Sequence, residues 1–329
     1  MGQLIGKVFK QTYYEEDDEI PTSESQTSTL RALSSLFILF IVYILNQADR
    51  QLLPAVIPAG LACASENESQ SCEPDWNTSD WMFSPHCDPN DCIKINTIQH
   101  GVLTGAAFVL SYTISGIPIG RIADLSSRTK VLGIGMFFWS AMVLLTGLAK
   151  DYWLILLARV GVGIGQASCN PTSYAMISDF FYVNRAKALA FYHSGLYIGS
   201  AIGYAAAAAN DVICWRWPFF ILAFLGFLTV MLVVLFIRDP QPEERILPEP
   251  VPNSLKETVH QLFKSKPFLV ICLASSVRQI AGYALASWLS TYYARRYHIQ
   301  PFKYNGTLAL IVLFGGGFGT LLGGVTADR

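Results

Sequence analysis

Long apolar runs alternate with short polar segments along most of the chain. Eight of these runs are long enough to cross the hydrocarbon core of a bilayer as helices, which takes about 20 residues. Their expected bounds, numbered spans 1 to 8, are 33–57, 97–119, 131–148, 152–177, 188–209, 217–237, 268–293 and 308–325. The pattern predicts an all-α polytopic membrane protein.

The composition agrees with a protein that lives in a bilayer. Hydrophobic residues make up 52% of the chain and charged residues 14%, whereas soluble domains carry about 25% charged residues. A net charge of -1 gives no basic surface for nucleic acid. The spans contain no nucleophile–base pair and no metal-ligand cluster, so we expect neither an enzyme nor a cofactor. The expected partners are membrane lipids, a small amphiphilic or anionic substrate, and protons.

Charge divides the chain into four segments. A polar, acidic tail (1–32) is expected to be disordered and cytoplasmic. Residues 33–237 form a six-helix half, 238–266 a cytoplasmic linker, and 267–329 the start of a second half with spans 7 and 8. More than half of the 23 lysines and arginines fall on the side of the N-terminus, which predicts that this side is cytoplasmic. The expected membrane is the plasma membrane or an endolysosomal one.

The segment 62–96 is predicted to be a non-cytoplasmic loop held by disulfides. Its cysteines are Cys63, Cys72, Cys87 and Cys92. Four cysteines in one loop favour an oxidising compartment and two disulfides, with all three pairings open. Free thiols or a zinc site are the alternative, although the spacing fits no compact zinc signature. Cys169, Cys214 and Cys272 are expected to pack as small apolar residues.

Three sequons place glycosylation candidates on the same side of the membrane. Asn67 and Asn77 lie in the cysteine-containing loop, and Asn305 lies in the connection between spans 7 and 8. Their common side agrees with the orientation that the lysines and arginines predict.

Charged side chains inside the spans are the first candidates for function. They are Asp49, Arg50, Arg159 and Arg278. A lone charge at the bilayer centre costs at least about 2.5–3.5 kcal/mol, so each must face the protein interior and find a partner. For Asp49 we predict proton uptake or ion coupling, with a structural bridge between spans 1 and 4 as the alternative. The arginines are candidates for attracting an anionic headgroup.

Span 4 carries a polar stripe along one helix face. Its members, spaced by three or four residues, are Arg159, Gly163, Gln166, Asn170 and Tyr174. A polar stripe in a lipid-embedded helix faces either a water-filled cavity or a neighbouring helix. The cavity is the prediction, and buried helix–helix hydrogen bonds are the alternative. The full predicted set of cavity residues is Asn46, Arg50, Arg159, Gln166, Asn170, Tyr174, Tyr204, Arg278 and Tyr283.

A short motif is repeated about 200 residues apart, as in transporters built from repeated halves. Segments 120–124 and 324–328 both read Gly-x-x-Ala-Asp after a glycine-rich apolar run. The first copy continues into a charged loop that ends at Lys130, whereas the second ends at Arg329 in mid-motif. This indicates a chain truncated after span 8.

The first copy resembles the loop signature of the major facilitator superfamily. The matching residues are Gly120, Asp124, Arg128 and Lys130. Leu125 and Ser127 replace the usual arginine and glycine. Residues 159–165, an arginine followed by spaced glycines, resemble the family's fourth helix. The resemblance implies two six-helix halves that rock about a central site, and a latch at the loop formed by Gly120, Asp124, Arg128, Asp328 and Arg329.

A more specific resemblance is to the spinster-like lipid transporters. It is carried by residues 46–50, 163–168, 177–181 and 199–204. The spinster pattern has a glutamate where this chain has Gln166, which cannot ionise. The resemblance implies a secondary active carrier of a lysophospholipid or sphingoid lipid, with proton coupling. Organic-anion and sugar-acid carriers, which share the Asp-Arg pair, supply one alternative, and a truncated membrane protein that acts through a partner supplies another.

Overall fold

Helices make up nearly all of the described chain. The computed structural model describes residues 23–57, 62–63, 93–181, 184–209, 214–237, 263–297, 301–319 and 322. Its helices are α1 Ser23–Val56, α2 Thr97–Gly101, α3 Ala107–Leu125, α4 Arg128–Leu148, α5 Tyr152–Gln166, α6 Cys169–Phe180, α7 Arg185–Ala208, α8 Arg216–Phe236, α9 Lys266–Tyr297 and α10 Pro301–Ile311. Two π-helical turns, Val102–Ala106 and Val312–Gly316, follow α2 and α10.

Two short strands join the two ends of the loop after α1. Strand β1 (Ala62–Cys63) pairs in parallel with β2 (Ile93–Lys94), with Ala62 opposite Ile93. The α1 helix begins at Ser23, so part of the tail that was predicted to be disordered is helical. The predicted division of the chain at residues 237 and 267 stays a prediction.

Six helices or helix pairs in the described part of the chain are long and apolar enough to cross a membrane. They are Leu30–Val56, Thr97–Leu125, Arg128–Leu148, Tyr152–Phe180, Arg216–Phe236 and Lys266–Leu285. They correspond to spans 1, 2, 3, 4, 6 and 7 of the sequence. The α7 helix, predicted as span 5, has the length but carries many Gly, Ser and Tyr side chains. The chain is therefore a multi-pass membrane protein, and its fold is that of an all-α bundle.

Predicted span 4 is broken into two helices. The α5 helix ends at Gln166 and α6 begins at Cys169. Pro171 explains the break, because it has no N–H to donate to the carbonyl of Ala167 and its ring disfavours a continuous helix. Ser168, in the break, instead donates its hydroxyl to the carbonyl of Gly165 at 2.9 Å. The break therefore lies directly beside Gln166.

The α7 helix packs on α1 through glycines. A Cβ built on Gly199 would lie 2.3 Å from the carbonyl oxygen of Ile44, and one on Gly203 would lie 2.5 Å from that of Ala48. Close backbone approach of this kind is typical of small-xxx-small helix contacts in membranes. The contact fixes the α1 segment that carries Asp49 and Arg50 against the rest of the bundle.

The helices α9 and α10 contact the bundle through the second half of α9 and along α10. Residues 266–282 of α9 are exposed, whereas Trp288 contacts His100 of α2 with ring centroids 4.7 Å apart and ring planes tilted by 47°. Tyr293 of α9 stacks on Tyr304 of α10 at 4.8 Å. After α10, Gly316 lies so close to Tyr197 of α7 that a Cβ would meet its ring at 1.9 Å. The contacts of the two elements with the bundle therefore include both Trp288 and Gly316.

Predicted span 8 begins earlier than expected. The α10 helix starts at Pro301, a residue favoured in the first turn of a helix, and not at residue 308. Asn305 therefore lies inside a helix, with 0% of its surface exposed. Its glycosylation stays a prediction. Asn67 and Asn77 lie outside the described residues.

Candidate functional site

Asp49 and Arg159 form a buried ion pair between α1 and α5. Nη1 of Arg159 donates to Oδ2 of Asp49 at 3.3 Å, and Nη2 donates to Oδ1 at 3.4 Å. Asp49 is 0% exposed and Arg159 is 3% exposed. The pair joins two predicted charges, and each charge neutralises the other where water cannot. The pair has the geometry of a structural bridge between spans 1 and 4, which is the alternative role that the sequence predicts for Asp49.

Gln166, at the end of α5, connects this pair to Arg50. Its Nε2 donates to Oδ2 of Asp49 at 3.3 Å and to the backbone oxygen of Asn46 at 3.5 Å. Its Oε1 accepts from Nε of Arg50 at 2.8 Å. The helix break after Gln166 leaves this side chain at the point where α1, α5 and α6 meet. We call Asp49, Arg50, Arg159 and Gln166 the charge network.

Arg50 differs from the other members because it is partly exposed. Its guanidinium lies 5.0 Å from the ring centroid of Phe108 and 4.9 Å from that of Tyr112. The Tyr112 hydroxyl accepts from Nδ2 of Asn170 at 2.9 Å. Rings at this distance stabilise a cation. We call Arg50, Phe108, Tyr112 and Asn170 the Arg50 site.

Aromatic side chains of α6, α7 and α9 lie near the Arg50 site. Tyr283 of α9 interacts electrostatically with Arg50. Tyr174 of α6 meets Tyr192 of α7 edge-on, with ring centroids 5.6 Å apart, and lies 5.4 Å from His193. Tyr283 and Tyr174 are partly exposed, as Arg50 is. The site therefore combines one accessible cation with polar and apolar ring surface from both α6 and α9.

The charges of the network do not cancel. It holds two arginines and one aspartate, and Gln166 carries no charge. Asp49 neutralises Arg159, so one positive charge remains on Arg50. An exposed edge of a guanidinium is suited to the planar or forked oxygen pairs of carboxylates and phosphates. The arrangement can thus bind a single anionic group.

Three predicted cavity residues lie elsewhere. Asn46 is buried and donates to Sγ of Cys169 at 3.3 Å, between α1 and α6. Tyr204 is buried and donates to Oε1 of Gln51 at 3.0 Å, between α7 and α1. Arg278 lies in the exposed part of α9. The first two serve helix packing, and the structure does not bring Arg278 to the network.

The sequence did not predict Phe108, Tyr112 and His193 as parts of the site. Phe108 and Tyr112 are four residues apart on α3, so both rings face the same side. The sequence feature that could have indicated Tyr112 as a site residue is its position as a polar aromatic side chain in a glycine-rich span. Nothing in the sequence alone indicated that both rings lie over Arg50.

The predicted latch loop contains an ion pair within the first six spans. Arg128, at the start of α4, pairs with Asp179 near the end of α6, and their side chains are 11% and 28% exposed. Asp124 is exposed, and nothing lies within 4 Å of a Cβ built on Gly120. Asp328 and Arg329 lie outside the described residues. The latch between the two copies of the motif stays a prediction.

Cys214 is disulfide-bonded. It is buried among apolar residues as predicted, but it is not a free thiol. Cys169 is free and buried, whereas Cys272 is free and exposed, so the predicted packing is wrong for Cys272. The partner of Cys214 lies outside the described part of the chain, as do the side chains of the four loop cysteines. Among the described residues, His, Cys, Asp and Glu form no group of three that could hold a metal ion.

A membrane-embedded helical bundle with an interior charge network and an accessible cation defines the class of polytopic membrane transporters. The chain belongs to the Major Facilitator Superfamily, whose sequence profile matches residues 39–329. This confirms the resemblance seen in the loop after α3.

Named relatives fall into two groups. The chain is 27% identical over 236 residues to the probable L-galactonate transporter of Escherichia coli (strain K12), an alignment that covers 68% of this chain and 52% of that protein. It is 28% identical over 218 residues to the sphingosine-1-phosphate transporter SPNS2 of Danio rerio, covering 63% and 42%. It is 25% identical over 299 residues to protein spinster homolog 1 of Xenopus laevis, covering 85% and 50%. The chain thus spans about half the length of these relatives.

Solved structures share the fold. A bacterial homolog of the human lysosomal transporter Spinster, in an inward-facing and unoccupied conformation, matches with a TM-score of 0.67 at 24% identity. That match covers 91% of this chain and 63% of the other. The inward-facing and occupied conformation matches with a TM-score of 0.62 at 25% identity, covering 89% and 61%.

Proposed function

We propose that the chain is the substrate-binding part of a carrier that moves an anionic amphiphile by alternating access, with the acidic headgroup bound at the Arg50 site. The observation that carries this proposal is the single unbalanced positive charge of the network, placed on a partly exposed arginine that lies over two neighbouring aromatic rings. The headgroup would contact the guanidinium, and the aromatic rings would contact the first atoms of an apolar chain.

The fold supports alternating access. The same fold occurs in a transporter homolog with an inward-facing conformation. We assign the side of the N-terminus to the cytoplasm, in the plasma membrane or an endolysosomal membrane.

Two substrate classes fit one cation. Sphingosine-1-phosphate, named for one relative, carries a phosphate, and L-galactonate, named for another, carries a carboxylate. The aromatic surroundings of Arg50 favour the lipid, because Phe108 offers no hydrogen bond to the hydroxyls of a sugar acid. A small organic anion is the second candidate, favoured by the polar pair of Tyr112 and Asn170. Proton coupling at Asp49 stays a prediction.

Competition binding tests the proposal. The 329-residue chain would be purified in a neutral maltoside detergent and titrated with fluorescent lysophosphatidylglycerol. We expect unlabelled lysophosphatidylglycerol to displace the label, and zwitterionic lysophosphatidylcholine to displace it at least about tenfold less well, a difference of about 1.4 kcal/mol. Displacement by galactonate alone would select the small-anion alternative. Equal displacement by both lysolipids would contradict recognition by charge.

A further inference from the structure

The two ends of the Gln166 amide are distinguished by their partners. Arg50 Nε can only donate a hydrogen bond, so the atom 2.8 Å from it must be the amide oxygen. An ionised Asp49 can only accept, so the atom 3.3 Å from its Oδ2 must be the amide nitrogen. An amide can accept a hydrogen bond from Arg50 and donate one to Asp49 at the same time, and it carries no charge.

Besides Gln166, the network contains two arginines and Asp49. Arginine stays protonated, so Asp49 is the one member that could change its charge. Its two oxygens accept from both Nη atoms of Arg159 and from Gln166. Protonation of Asp49 would discharge the counter-ion of an arginine that is 3% exposed, and an uncompensated buried charge is strongly unfavourable. The contacts of Asp49 therefore supply the counter-charge that the buried arginine requires.

The groups that face the network from the neighbouring helices are mostly neutral as well. Tyr43, Tyr112, Tyr283 and Cys169 interact with Arg50, and tyrosine and thiol groups remain protonated below a pH of about 8. The exception in the described part of the chain is His193, whose imidazole contacts tyrosines on three sides.

We propose that Gln166 is an uncharged bridge that fixes the net charge of the network at one positive charge, so that anion binding at the Arg50 site does not depend on proton uptake. This rests on the proposed anion-binding function, but the charge state of the network can be measured without a ligand. A carboxylate at position 166 would give the opposite behaviour. It would cancel the charge of Arg50 when ionised, and restore the charge when protonated.

Infrared difference spectroscopy measures the charge state directly. Spectra of the purified chain at a pH of about 5.5 and of about 7.5 would be compared, because a protonated buried carboxyl gives a carbonyl band that a carboxylate lacks. We expect no such band in the wild-type difference spectrum and a new one in Gln166→Glu. Labelling the side chains of aspartate with 13C shows whether such a band belongs to aspartate, and it needs no substitution that could prevent folding. A wild-type band that shifts with labelled aspartate, and that depends on Arg159, would overturn the proposal.

Ligand binding gives the second readout. Lysophosphatidylglycerol is a suitable probe because its phosphodiester keeps one negative charge over this pH range. We expect its affinity for the wild-type chain and for Gln166→Leu to change less than about twofold between the two pH values, and the affinity of Gln166→Glu to fall about tenfold at the higher one. The same titrations with His193→Asn remove any contribution of the histidine.

The outcomes separate the two proposals. A pH-dependent affinity that persists in the His193→Asn background would overturn the role of Gln166. If the wild-type chain binds neither lysophosphatidylglycerol nor galactonate, the proposed function fails, and the infrared result still decides the charge state of the network. A pH-dependent affinity in Gln166→Leu would likewise contradict the bridge, because leucine adds no titratable group.

Discussion

Asp49 and Arg159 lie 110 positions apart in the chain, and both of their side chains are buried against each other in the centre of the bundle. Two hydrogen bonds of 3.3 and 3.4 Å join them. The pair connects α1, which α7 holds through glycine contacts, to α5, which ends at the helix break. The pair therefore holds α1 and α5 together, and it also sets the position of Arg50, which is the residue after Asp49.

Removing one charge of this pair should destabilise the protein strongly. Asp49→Asn leaves Arg159 buried without a counter-charge, and we expect a loss of about 3–5 kcal/mol. The double variant Asp49→Asn/Arg159→Gln should recover a large part of that loss. Thermal unfolding in maltoside micelles measures both, and Asp151→Asn, at an exposed position, is the control. Equal stability of Asp49→Asn and the wild type would mean that the pair is not formed.

Replacing Arg50 by lysine should weaken anion binding although the charge is kept. Lysine cannot reproduce the hydrogen bond from Nε to Gln166, and it stacks less well on Phe108 and Tyr112. We expect the affinity for lysophosphatidylglycerol to fall about tenfold, or about 1.4 kcal/mol. Lys150→Gln, which removes an exposed positive charge, is the matched control. An unchanged affinity in Arg50→Lys would place the anion elsewhere.

Sequence reasoning predicted the spans and the intramembrane charges, because a charge in an apolar run needs no three-dimensional information to be noticed. It could not predict which arginine pairs with Asp49, since Arg50, Arg159 and Arg278 are equally available to this carboxylate in the sequence. The contact of Arg50 with Phe108 and Tyr112 depends on how α3 crosses α1, which no local pattern encodes.

Adding a methyl group at Gly199 should separate α7 from α1. A Cβ at this position would lie 2.3 Å from the backbone oxygen of Ile44, which cannot move aside as a side chain can. We expect Gly199→Ala to cost about 1–3 kcal/mol in unfolding free energy. Gly116→Ala is the control, because nothing lies within 4 Å of a Cβ at that helical position. The two variants are compared by thermal unfolding, and equal stability would argue against the close contact.

The ion pair of Arg128 and Asp179 should contribute little to stability. The Asp179 side chain is 28% exposed, so solvent and salt screen the pair. We expect Asp179→Asn to change the unfolding free energy by about 0–1 kcal/mol at low salt, and the difference to shrink as salt is added. A large loss that salt does not reduce would show a buried role for this carboxylate.

Cys214 should be recovered as half of a disulfide when the protein is digested without reduction. The chain has seven cysteines, of which Cys169 and Cys272 are free, so we expect the partner to be one of the four in the loop between α1 and α2. Mass spectrometry of non-reduced peptides, after blocking of free thiols, identifies the link. Such a bond would tie the start of α8 to that loop, and it would leave the four loop cysteines unable to form two pairs among themselves. A Cys214 peptide carrying the blocking group would contradict the expectation, and the Cys169 peptide, blocked only after unfolding, serves as the control.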